Sequence, residues 1–256
     1  LWAESGATRA LAFKLSKYAT NQKRTLILTW LVGLLLFIDD FTSIAVHGTL
    51  VKLYDEKKLP RVSLSYITDA QASPLNALIP FGTWGLYYTM IFKGFDEVVA
   101  AGYDGIGGYI KTLPYQFYSY AALIISLLFV MGVVKPFGPM KKAFDRAKET
   151  GALYGEKSAA LNEEDDEEPL DETKLGLLLS VFIIPLVLFV GVTVYTGDVI
   201  TASLITIAFM IVYMLVTRVA NWQKLMAACM KGIIDMAEMI VIVIPIYMMY
   251  TMLDKM

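Results

Sequence analysis

The chain has 256 residues, of which 57% are hydrophobic and only 18% charged, with a mean hydropathy of +0.57. Soluble domains carry roughly 25% charged residues, so this is the composition of a membrane protein; the net charge of −2 is uninformative, and no basic face suggests nucleic acid. A single cysteine, Cys229, and a single histidine, His47, exclude a disulfide framework, a cysteine-rich metal site, zinc catalysis by histidine clusters and most Ser-His-Asp schemes.

Residues 1–24 read as a basic, amphipathic, cytoplasmic lead-in. The chain starts at Leu1 and lacks the basic-then-apolar order of a signal peptide, which suggests a piece of a longer protein. Residues 25–51 are apolar except for Asp39 and Asp40 at their middle. An ionised carboxylate costs at least about 2.5 kcal/mol at a bilayer centre, so this pair does not face lipid. Lys14, Lys17, Lys23 and Arg24 precede the segment, and Lys52, Lys57, Lys58 and Arg61 follow it. Basic flanks mark the cytoplasmic side, which predicts a re-entrant hairpin with residues 33–43 near its tip. The alternative is one tilted crossing, since about 27 residues at 1.5 Å each reach across. Non-helical backbone at such depth requires surrounding protein or water, which points to a site.

Two carboxylates in contact do not both stay ionised in a low-dielectric site without a cation or donors. One of the pair then holds a proton whenever no cation is bound, a physical basis for exchange. The plainer role is an N-cap for the second arm of the hairpin. One is expected to be a ligand and one structural, with the assignment open. His47 titrates near neutral pH when unperturbed, although a lone histidine on an apolar helix is more often a packing residue. Thr42, His47 and Thr68 are the candidate proton or gating positions.

Residues 62–92 are interrupted by Thr68-Asp69-Ala70-Gln71-Ala72-Ser73-Pro74, with Pro80 beyond. Proline removes a backbone donor and clashes with the preceding turn. A break at Ser73-Pro74, with Asn76 just after it, is expected to offer oxygen ligands suited to a hard cation. A second half-helix starting near Pro74 would aim its positive end at the cavity. The plain reading is a proline kink. Two interrupted apolar segments in succession are a pointer to an ion-coupled transporter.

Residues 93–116 read as an external loop, and Gly102 to Gly108 resemble a phosphate loop only superficially, with no preceding strand. Residues 117–134 form a transmembrane helix followed by Lys135, Lys141, Lys142, Arg146 and Lys148 on the cytoplasmic side. Residues 135–174 form an acidic cytoplasmic loop in which Glu163 to Glu168 is a solvated tether. Residues 175–256 hold three transmembrane helices, 175–195, 199–217 and 233–253, with Asp235 and Glu238 in the first turn of the last.

Phe37-Ile38-Asp39-Asp40-Phe41, Gly48, Asp55, Arg61 to Ile67, Asp69, Ala72-Ser73-Pro74, Pro80 and Trp84 resemble the NhaC family of sodium/proton antiporters, in the ion-transporter superfamily. Pro114 to Tyr118 and Phe137 to Met140 are also similar to family segments, and beyond Met140 the likeness is one of helix layout. The family pattern has Tyr and Asn where this chain has Phe41 and Ser43. The resemblance implies an all-α integral membrane fold of two inverted repeats, each with a re-entrant hairpin and a broken helix meeting at the midplane. The second hairpin and broken helix are expected beyond residue 256.

The resulting expectation is a multi-pass secondary transporter of a bacterial-type plasma membrane, not an enzyme and without a cofactor, exchanging sodium for protons. Its ion site would use Asp39, Asp40, Ser43, Asp69, Ser73 and Asn76, in a lipid-embedded chain that also forms homo-oligomers. An antiporter of amino acids or carboxylic acids is the alternative, and a non-transporting membrane scaffold or fragment the second. An Asp39–Asp69 protease dyad lacks residues arranged to bind and cut a peptide.

Overall fold

The computed structural model describes residues 1–36, 40–80, 82–155, 172–196 and 198–253. These form helices, with no strand among the described residues. In chain order they are α1 (Trp2–Ser5), α2 (Ala7–Ser16), α3 (Gln22–Leu35), α4 (Asp40–Gly48), α5 (Val51–Glu56), α6 (Arg61–Leu78) and α7 (Thr83–Lys93). Then follow α8 (Asp96–Ala100), α9 (Gly105–Thr112), α10 (Phe117–Val130), α11 (Gly138–Thr150), α12 (Leu175–Thr196), α13 (Val199–Val216) and α14 (Trp222–Leu253).

Asn21 starts α3 by accepting a hydrogen bond from Arg24 N at 2.9 Å, a side-chain cap for an otherwise unpaired donor. From α3 the chain folds back through α4 and α5. Gln22 Nε2 donates to the carbonyls of Lys57 and Lys58, at 3.0 and 3.1 Å, so the end of α5 lies beside the start of α3. Leu50, Leu53, Tyr54 and Leu59 are buried against Leu26, Leu64, Ile67 and Phe129, which seals the two arms onto their neighbours.

α6 packs against α3, α4 and α10. The Tyr66 and Phe129 rings meet edge to face, 5.2 Å between centroids. Trp30 Nε1 donates to Ser126 Oγ at 3.1 Å, joining α3 to α10. At the start of α6, Arg61 N donates to Leu153 O at 3.0 Å, and the guanidinium lies over Tyr154 and pairs with Asp55 at 2.6 Å. The basic end of α6 and the segment after α11 therefore lie together.

Several expectations are corrected here. α6 runs through Pro74 without ending, and the chain leaves the helix at Ile79 and resumes at Thr83. Pro80 makes this break: a residue before proline is driven out of helical geometry, and Ile79 is extended at φ −100° and ψ 115°. Residues 93–116 are largely helical, and α9 with its following 3-10 turn enters α10 at 54°. α10 ends at Val130, and Gly132 takes the left-handed φ of 77° that ends a helix. The region 135–174 contains α11, while Glu163 to Glu168 lie outside the described residues.

α14 begins at Trp222 rather than near residue 233, so Asp235 and Glu238 lie well inside the helix. The amphipathic stretch before Lys231 was invisible to a search for apolar runs alone. Among the described residues, α12 is by itself long and apolar enough to cross a bilayer, and the bent α9–α10 pair qualifies as a second span. α12 and α13 form an antiparallel pair linked by Ser180 Oγ and Tyr213 OH at 2.8 Å. Val181, Phe182, Met210 and Met214 bury with Ala7, Val32, Leu36 and Val46, which fastens that pair to the tip of the α3–α4 hairpin.

Candidate ion-binding site

A cavity of about 500 Å³ opens between the returning arm of the hairpin and α6. Ile44, His47 and Val51 form one wall; Ser65, Thr68, Asp69 and Ser73 form the other. Those four positions on α6 follow the three- and four-residue spacing that puts side chains on one helix face. Asp69 and Ser73 are exposed to this space, whereas the Thr68 hydroxyl donates back to Leu64 O at 3.0 Å.

His47 is the most enclosed polar group of the opposite wall, at 1% exposure. Its Nδ1 lies 2.8 Å from Ser43 O and 3.3 Å from Ser43 Oγ, and its Nε2 lies 3.4 Å from Thr29 O. A neutral imidazole carries one N–H, so it donates to only one of these two carbonyls. Thr29 extends the polar chain: its Oγ1 accepts from Tyr54 OH at 3.0 Å and donates to Thr25 O at 2.9 Å. Thr25, Thr29, Ser43, His47 and Tyr54 are all buried.

The residues expected to bind the ion divide into groups. Asp69 and Ser73 share the cavity with His47 and Thr68. Ser43 is buried and turned to His47, away from the cavity lining. Asn76 is fully buried, and its Oδ1 accepts from Trp84 N at 3.4 Å, bridging the break instead of facing the cavity. Gly82 makes room for this bridge, because a Cβ there would come within 2.1 Å of Asn76 Oδ1. The expected unwound ligands after Pro74 are therefore absent: that stretch is helix, for the reason given above. Asp39 lies outside the described residues, and Asp40 and Thr42 are placed only as backbone in the first turn of α4.

Sequence reasoning passed over Thr29, Tyr54, Gly33 and Gln71. Gln71 belongs to the polar interruption of residues 68–74, but only the fold sets it beside Gly33 of α3, where an added Cβ would lie 2.0 Å from its Oε1. Among the described residues no three His, Cys, Asp or Glu side chains gather as a metal-ion cluster. The cavity offers carboxylate and hydroxyl oxygens, donors that suit hard cations.

Residues 78–256, well over half of the chain, match the model of the Na+/H+ antiporter family. The chain belongs to that family. Its members are transporters that work in membranes and are not enzymes. The match runs to the last residue, so the likeness after Met140 goes beyond helix layout, and the cavity-lining residues lie ahead of the matched stretch. An uncharacterised protein of Haemophilus influenzae is 28% identical over 198 residues, covering 75% of this chain and 36% of that protein. The chain thus spans about a third of the length of that relative. No solved structure matches it.

Proposed function

We propose that this antiporter-family chain supplies one half-site of an NhaC-type exchanger that moves sodium against protons. The observation that carries the reading is the cavity in which Asp69, Ser73, Thr68 and His47 come together from two segments that sequence alone marked as interrupted. In this reading α3 to α5 are a re-entrant hairpin entering from the cytoplasmic side. The contact of Gln22 with Lys57 and Lys58 supports it, since both ends of the hairpin then share the basic side. The remaining apolar helices cross the bilayer against lipid and against the rest of a longer protein built as inverted repeats, itself able to pair as a homo-oligomer.

Exchange follows from competition. Asp69 in the cavity holds either a proton or, with oxygen neighbours such as Ser73, a sodium ion. Asp40 is the first residue of the helix that carries His47, and the Asp39-Asp40 pair is proposed as the second carboxylate source. In vesicles containing the full-length protein, a sodium gradient should drive proton movement, and Asp69→Asn should slow it at low sodium, at unchanged expression, through weakened sodium affinity. Normal exchange in that variant would remove Asp69 from the site.

A second reading rests on a second cavity, of about 420 Å³, that shares Ser73 and is lined by Trp84, Tyr88, Tyr115 and Phe117. Small-molecule sites are lined mainly by hydrophobic and aromatic side chains, so this aromatic-lined space suits an organic solute better than a bare ion. It favours an antiporter of amino acids or carboxylic acids coupled to sodium or protons. Exchange driven by such a solute and indifferent to sodium would select it.

A further inference from the structure

We propose that Gln71 coordinates the transported cation, its side-chain oxygen forming an ion site with the C-terminal turn of α3; the inference rests on the cation-exchange reading above. Gln71 is fully buried on α6. Its Nε2 donates to Trp30 O at 2.7 Å. That bond fixes which way the amide points, because the reversed amide would set two oxygens against each other. Oε1 is thereby turned toward Gly33, where an added Cβ would lie 2.0 Å away from it. Among the described residues it has no hydrogen-bond partner.

A buried acceptor left unpaired is costly, and such a group in a folded protein calls for an occupant or a reason. A leucine would hold α6 to α3 without that cost. The surroundings say what the occupant is. Gly33 lies in the last turn of α3, where carbonyls run out of helical partners and the helix dipole is negative. An amide oxygen beside a negative helix end repels anions and attracts a cation, and hard cations take amide and backbone oxygens as ligands. Because Gly33 has no Cβ, Oε1 packs directly against the backbone of this last turn. The place is also close to the exchange cavity: Thr68, one turn earlier on α6, and Ala72, the next residue, both line it. An ion leaving Asp69 would thus find neutral oxygens within one helical turn.

The test uses full-length protein, measured for sodium-driven proton exchange in vesicles and for the rise in unfolding temperature caused by sodium chloride over choline chloride. Gln71→Leu should raise the apparent Km for sodium at least tenfold and remove the sodium-dependent rise. Without sodium it should be as stable as the wild type or more so, since the orphaned acceptor is gone. Gln71→Glu, whose protonated carboxyl keeps the shape, the oxygen and a donor to Trp30 O, should keep a sodium affinity near that of the wild type, and it decides the matter if the leucine variant does not fold. A wild type that exchanges sodium, with Km and sodium stabilisation retained in Gln71→Leu or weakened tenfold in Gln71→Glu, overturns the assignment alone. A wild type that neither exchanges nor responds to sodium overturns the exchange reading together with it.

Discussion

His47 and Asp69 line opposite walls of one cavity, the imidazole buried in α4 and the carboxylate exposed on α6. The two helices come from the two apolar segments that the sequence marks as interrupted, so the hairpin's return is what brings these side chains together.

Gly33→Ala places a methyl group within 2.0 Å of Gln71 Oε1. Either the α3–α6 contact opens or the glutamine swings away, and overpacking of this kind costs about 1–3 kcal/mol. Thermal unfolding in detergent should show a lowered midpoint. Gly48→Ala is the control, because nothing lies within 4 Å of a Cβ there; an equal loss at both positions would contradict the close approach.

His47→Leu keeps bulk but leaves Ser43 Oγ and the carbonyls of Ser43 and Thr29 facing a hydrocarbon. The loss of buried hydrogen bonds should lower stability by about 1–3 kcal/mol, read from the same unfolding curves. His47→Gln retains one donor and should lose less. If both variants melt like wild type, His47 does not tie α4 to α3.

The division between what was legible and what was not follows from range. The fold-back from α3 to α5 has local evidence in the sequence, basic residues on both sides of an apolar run; its entry from the cytoplasmic side is part of the proposal. The break in the second segment was placed one proline too early. Pro74 and Pro80 look alike in sequence, yet Ser73 stays helical while Ile79 becomes extended. Packing of α6 against α3, α4 and α10 holds the helix through Pro74, and no local rule reports that. Gln71 was overlooked for a similar reason, since an amide flanked by alanines says nothing until Gly33 is set beside it. The early start of α14 was hidden because charged Lys224 and Lys231 interrupt the apolar signal without interrupting the helix.

Asp198 caps α13, accepting from Ile200 N and Thr201 N at 3.1 Å each and from the Thr201 hydroxyl. The hydroxyl first, then the two backbone donors, hold its carboxyl below the ordinary 3.8. A lowered value in the folded state adds stability above the unfolded value, and that stability is lost as pH falls through the folded one. Asp198→Ala should therefore lower the unfolding midpoint by the same small amount at pH 6 and pH 8. A penalty that changes between those two pH values would contradict the cap.

Arg61 N meets Leu153 O, so the start of α6 and the segment after α11 share one end of the protein. Cysteines introduced at Lys58 and Lys142 should be labelled by an impermeant reagent from the same side, the cytoplasmic one. Labelling of the two positions from opposite sides would remove the re-entrant hairpin.

The central claim is that proton and sodium compete for the cavity carboxylate, and the pH dependence of the sodium Km tests it most directly. In vesicles carrying the full-length protein, the apparent sodium Km should rise as the pH is lowered, while the maximal rate changes little. Asp69→Asn should weaken sodium affinity and flatten that dependence, whereas Ser73→Ala should weaken affinity and keep the slope. A wild-type Km indifferent to pH, or an Asp69→Asn variant with the full wild-type slope, would contradict the account.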